Sequence, residues 1–282
     1  MNLFASANMH ISFVAEPVFQ IGHFVVNNAM TLGAIGFILT LVLCFYAVSA
    51  TKKGKKNAFL GLFNWMFDSL YKQVFEIISD KKVARNIAPL AITIFIFIIV
   101  NYWISILPGV GSIRINDTPL FRGLPADLNF TLALAIITII SVQMYAIKQM
   151  GILGNAKRYL RDPLKDPVGA FEGLLELVGE FSRAVSLSLR LFGNAFAGEI
   201  LLVVVAVLAG YFSTIALPVV MAFELFIGFI QAYVFFILTL IFTALALEGH
   251  GDEHSPAEKG LAHKDDHSLE IAKSKEVEQI RE

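Results

Sequence analysis

The stretch that decides the fold is EFSRAVSLSLRLFGNAFAGEILL, residues 180–202. It sets one arginine, Arg190, deep in a long apolar run with no acid beside it. Its polar neighbours are Ser186, Ser188, Asn194 and Glu199, and Gly193 and Gly198 put small surfaces between them. At bilayer depth a guanidinium costs about 2.5–3.5 kcal/mol on insertion scales. A chain carries that cost only where the charge has a task or a partner.

Composition agrees with a membrane setting. Of 282 residues, 56% are hydrophobic and only 16% charged, and the mean hydropathy is +0.69. These values exclude an ordinary soluble domain. The net charge of −1 points to no polyanionic partner, and nucleic acid is not expected. The single cysteine, Cys44, lies in an apolar run and reads as a packing residue. The first 28 residues hold no Lys or Arg, so a signal peptide with a basic n-region is not expected. Targeting then rests on the transmembrane segments themselves.

Outward from the arginine, the chain divides into apolar runs. Spans are expected at about 29–50, 87–107, 128–147, 168–210 and 214–248. The first ends against TKKGKK at 51–56, a stop-transfer signal. Residues 58–79 differ: Asn64, Asp68, Lys72 and Glu76 recur every four residues on an otherwise apolar helix. One narrow polar stripe suggests an interfacial amphipathic helix, or one docked on a partner helix. Asp127, in PADLN before the third span, is a candidate N-cap. The last two spans form one hairpin about a break near Tyr211–Phe212. At 1.5 Å per residue they would be roughly 65 and 50 Å long, against a core of about 30 Å. They must tilt, or their ends must stand outside. The expected fold class is therefore an all-α integral membrane protein. It has five transmembrane helices plus one interfacial amphipathic helix, and the last two helices form a long, tilted antiparallel hairpin.

Lys and Arg counts orient the chain. Segment 51–86 carries eight and 145–167 five, whereas 1–28 and 211–213 carry none and 108–127 carries Arg114 and Arg122. The positive-inside rule places segment 1–28 outside and a polar tail, 249–282, in the cytoplasm. His250 and His254 in that tail have a spacing that could hold a metal on a helix. A solvated tail is the preferred reading, and no metal or cofactor is expected.

Few strongly polar groups lie in the hairpin's apolar part: Arg190, Asn194 and Glu199 on its first helix, Glu224 and Gln231 on its second. Glu199 lies about 13 residues before the break and Glu224 about 12 after it. Arg190 lies about 21 before, and Gln231 about 19 or 20 after. The two acids should meet at one depth, and Arg190 should meet Gln231 at another. Arg190 and Glu199 are nine residues apart, which puts them on opposite faces of their helix. Singly, a buried glutamate or the small residues near Arg190 could serve packing alone. Jointly, a positive site set apart from an acidic one suits a proton relay with a guarding charge.

SLSLRLFGNAFAGE at 186–199 closely resembles the signature of subunit a of the F-type ATP synthase membrane sector. HISFVAEPVFQIGHF at 10–24, PADLNFTLAL at 125–134 and FELFIGFIQAYVF at 223–235 resemble further parts of its bacterial members. The resemblance runs from about His10 to Glu248. It implies a non-catalytic, proton-translocating stator subunit of the bacterial plasma membrane. Its implied partners are the c-subunit rotor ring, the b-subunit peripheral stalk and the rest of the complex. Arg190 then matches the arginine that faces the rotor, and Glu199 and Glu224 the half-channel open to the outside. Many relatives have histidine where Glu224 stands, so the acid pair is a departure. Gln231 and Asn194 match residues that accompany the arginine, and Ser186 and Asp127 are candidates for half-channel support. The competing reading is a secondary ion or solute transporter, which also buries Arg and Glu at mid-depth. No internal repeat supports it. No Ser/His pair or His/Glu metal cluster in the spans supports a membrane enzyme.

Overall fold

Each apolar run becomes one helix, because inside lipid only a helix satisfies its own backbone N–H and C=O groups. The computed structural model describes residues 15–54, 57–110, 113–115, 118–159 and 167–248. The tail with His250 and His254 lies outside the described residues, as do residues 1–14.

A hairpin comes first, in a segment whose sequence gave no strand signal. Strand β1 (Pro17–Ile21) pairs antiparallel with β2 (Phe24–Asn27), and Gly22 makes the turn at φ 63. Next come α1 (Asn28–Lys52), α2 (Ala58–Ile77) and α3 (Lys81–Ile106). Two-residue strands β3 (Arg114–Ile115) and β4 (Thr118–Pro119) and a tight turn at Leu124–Ala126 lead to α4 (Leu128–Tyr159). The hairpin helices are α5 (Pro167–Leu208) and α6 (Ser213–Glu248), joined through a tight turn at Gly210–Phe212.

Among the described residues, five segments are long and apolar enough to cross a membrane: α1, α3, α4 as far as Gln149, α5, and residues 210–247. Helix α2 is not among them. It packs on α1 and α3, and its Gln73 amide donates to the Tyr233 hydroxyl of α6 at 2.7 Å. The centre of the fold is α3, with 67% of its most apolar window buried against 22% in α5. Asp80 caps α3 by accepting the Lys82 N–H at 2.7 Å, and its other oxygen takes the Gln149 amide at 2.9 Å. The Gln149 bond first, then the Lys82 N–H, holds the Asp80 carboxyl below the usual carboxylate range.

Helix α4 is two helices. On a straight helix Gln143 and Tyr159 would lie about 24 Å apart. Instead the Gln143 amide donates to the Tyr159 hydroxyl at 3.0 Å. The chain turns back at Gly151, whose φ of 77 and ψ of 163 belong to a region that is essentially glycine's alone. The expected span 128–147 is the first arm. Residues 152–159 fold back along it.

Candidate functional site

The acids of the hairpin sit where α3, α5, α6 and the loop before α4 converge. Glu224 is 3% exposed, and its Oε2 accepts from the Tyr102 hydroxyl of α3 at 3.3 Å. Gly198 of α5 leaves room for that carboxyl, which any Cβ there would strike. Glu199 points elsewhere. Its Oε1 accepts the Gly123 N–H at 3.1 Å, and its Oε2 lies 3.6 Å from Arg122 Nε.

Arg122 is 8% exposed although it comes from a loop. Its guanidinium lies over the Phe196 ring, 5.9 Å from the centroid, and Nη2 is buried with no hydrogen-bond partner. The loop is tied down to reach this place. The Arg122 N–H donates to the Asn28 carbonyl at 3.3 Å, and the Thr31 hydroxyl donates to the Leu120 carbonyl at 2.6 Å. Beyond it, Asp127 caps α4 by accepting the Asn129 N–H at 3.0 Å.

The expected pairings are met in part. Gly198 against Glu224 sets residues 198–199 level with 224 across the hairpin. The two acids do not bond each other, because Tyr102 takes one and Arg122 with Gly123 the other. Gln231 does not face Arg190. Its Oε1 takes the Asn194 amide at 2.6 Å. Counting residues from the turn ignores side-chain length, and the glutamine reaches one helical turn nearer the break. Gln231 Nε2 is buried without a partner. Ser186 is exposed, whereas Ser188 is buried and shares a 3.2 Å hydrogen bond with Thr131 of α4.

Arg190 is exposed on α5, and among the described residues no side chain bonds it or pairs with it. Ser186, Gly193, Asn194 and Ala197 share its exposure and its face. Gly193 has nothing within 4 Å of where a Cβ would stand. The face is therefore an exposed surface on which Arg190 has no partner among the described residues. Among the described residues no group of three His, Cys, Asp or Glu could hold a metal.

Sequence reasoning missed Tyr102, Arg122 and Gly123. Arg122 had counted only as a loop charge. Its one signal was an arginine five residues before Asp127, in a loop otherwise short of charge.

Comparison with known proteins matches the sequence to a family. The model of the family described as ATP synthase A chain matches residues 29–244, which contain every side chain of the site. The chain belongs to that family. ATP synthase subunit a of Mycobacterium ulcerans is 33% identical over 229 residues, covering 78% of this chain and 87% of the relative. ATP synthase subunit a 2 of Photobacterium profundum is 31% identical over 233 residues, covering 80% and 89%. The Buchnera aphidicola protein of the same name as the first is 32% identical over 247 residues, covering 83% and 89%. As a member of the ATP synthase A chain family, the chain is a membrane protein of helices. The family match takes in both arms of the hairpin, Arg190 on one and Glu224 and Gln231 on the other.

Proposed function

We propose that this chain is the proton-channel stator of a bacterial F-type ATP synthase, a non-catalytic subunit that controls protonation of carboxylates on a c-subunit rotor ring. The observation that carries the reading is the division of charge on α5. Glu199 is turned inward and held, while Arg190, nine residues away, stands bare on the opposite face.

Protons enter from the outside along the polar path that holds Glu199 and Glu224, with Tyr102 and Arg122 fixing the two carboxyls. They neutralise a rotor carboxylate, which can then turn into lipid. After nearly a full turn the carboxylate meets Arg190. The guanidinium stabilises its ionised form, so the proton leaves to the cytoplasm. Arg190 also repels protons that would pass straight between the two half-channels. Asn194 and Gln231 brace the helix beside it. One charge crossing 100 mV releases about 2.3 kcal/mol, so several protons must cross for each ATP made.

The test is Arg190→Ala in inverted membrane vesicles. ATP-driven pumping should fall to background while the complex still assembles and co-purifies with a ring of small hairpin subunits. Normal pumping, or a chain that purifies alone, refutes the assignment.

A further inference from the structure

Helix α6 meets its neighbours largely through long side chains rather than close backbone packing. Polar links therefore decide how it is turned about its own axis. Nearer the hairpin turn, the Tyr102 hydroxyl donates to Glu224 at 3.3 Å and Trp103 Nε1 donates to the Leu225 carbonyl at 3.0 Å. Two turns further on, the Asn194 amide donates to Gln231 at 2.6 Å and the Gln73 amide of α2 donates to the Tyr233 hydroxyl at 2.7 Å. Residues 231 and 233 are two apart, about 200° around the helix. At this level α6 is gripped from opposite sides, by α5 through Gln231 and by α2 through Tyr233.

The grip on the α2 side is firm. The Tyr233 ring lies 6.4 Å from that of Phe236, and Phe236 and Phe229 both meet Phe95 of α3 edge-on, at 6.2 and 6.0 Å. Phe95 and Phe236 are buried. On α2, Leu70 and Val74 to either side of Gln73 are buried too. We propose that Gln73 and Tyr233 are positioning residues for the arginine site: their bond fixes the turn of α6, which keeps Gln231 on Asn194 and holds Asn194 and Arg190 facing outward on α5. The proposal rests on the stator reading above.

Arg190 and Asn194 are one helical turn apart on one face of α5. An amide on α6 stands about 6 Å from the helix axis, so a rotation of about 20° carries it about 2 Å, enough to spoil the bond from Asn194. On the stator reading α5 is loaded at every passage, since each rotor carboxylate is drawn to Arg190 and then pulled off it. Asn194 and Gln231 pass that sideways load to α6. Gln73 passes it on to α2, which packs on α1 and α3 and is not among the candidate spans of the described residues. Without Gln73 the load turns α6, Gln231 swings off Asn194, and Arg190 guards the path between the half-channels less well.

The test uses the assembled complex in inverted vesicles and reads protons pumped per ATP hydrolysed alongside the melting midpoint. Tyr233→Phe keeps the ring and removes only the hydroxyl, and it should lower that ratio about threefold. Gln73→Leu should match it, and carries the test if Tyr233→Phe fails to assemble. Gln73→Glu, whose carboxylate accepts the Tyr233 hydroxyl, restores a link and should keep most of the ratio. The double variant Gln73→Leu with Tyr233→Phe leaves neither partner unpaired, so its melting midpoint should return towards wild type while the ratio stays low. A wild-type ratio in Tyr233→Phe, or in Gln73→Leu where it carries the test, overturns the proposal. So does a ratio that recovers together with the melting midpoint in the double variant, which would mark the bond as packing between α2 and α6 and no more. Arg190→Ala in the same vesicles tests the stator reading by itself: normal pumping there refutes that reading, whereas background pumping there with a wild-type ratio in Tyr233→Phe refutes the positioning role alone.

Discussion

Gly198→Ala tests the geometry of the acid site with a single methyl group. A Cβ at 198 would stand 2.6 Å from Cδ of Glu224 and 2.9 Å from its Oε1. Non-bonded carbons settle at about 3.5–4.0 Å, so the carboxyl must move by about 1 Å. Glu224 has little room to do so, being 3% exposed and tied to the Tyr102 hydroxyl at 3.3 Å. Either that hydrogen bond is lost or the helices part, and each route costs about 1–3 kcal/mol. If the cost appears in the barrier to proton entry, ATP-driven pumping in inverted vesicles falls about 5- to 150-fold. If it appears in the fold, the melting midpoint of the purified complex drops instead. Gly61→Ala in α2 is the control, since nothing lies within 4 Å of its would-be Cβ. Combining Gly198→Ala with Glu224→Asp withdraws the carboxyl by one methylene and should recover part of the loss. Wild-type pumping together with a wild-type melting midpoint in Gly198→Ala refutes the packing argument.

Two further outcomes follow from the loop and the fold-back. Arg122→Leu leaves Glu199 without its cation at 3.6 Å, an interaction of about 4–5 kcal/mol gross at an effective dielectric of 20. Glu199 is 31% exposed and recovers some of this from water, so pumping should fall about tenfold, with Arg122→Lys close to wild type; equal activity in Arg122→Leu would show that the pair is dispensable. Gly151→Ala forces a side chain into φ 77, ψ 163 at roughly 1–3 kcal/mol. Faster amide hydrogen exchange over residues 152–159 should report the loosened arm, and unchanged exchange would count against a glycine-dependent reversal.

What the sequence made legible was whatever repeats or runs. The uncharged stretches became helices, and the polar stripe of α2 marked a helix that is not among the candidate spans of the described residues. The nine-residue spacing of Arg190 and Glu199 kept them apart, as helix geometry requires. Hydrogen bonds between distant loops left no such trace. Arg122 reaches Glu199 only because Asn28 and Thr31, some 90 residues earlier, hold its loop. The β1–β2 hairpin is too short and too mixed to show alternation. The return of α4 depends on one glycine in a sequence that otherwise favours continued helix, and a lone glycine is tolerated in helices often enough to carry little signal.

The bare face around Arg190 has a consequence for how such a chain is made. A guanidinium that none of the described residues satisfies bears, at bilayer depth, about 2.5–3.5 kcal/mol on insertion scales until a partner arrives. That is a large share of the 5–15 kcal/mol by which folded domains usually exceed their unfolded state. On the stator reading, the newly inserted chain carries that cost until it docks on its partner. Cells that make it in excess of its neighbours should hold the surplus only briefly, since every unassembled copy bears that unrelieved charge.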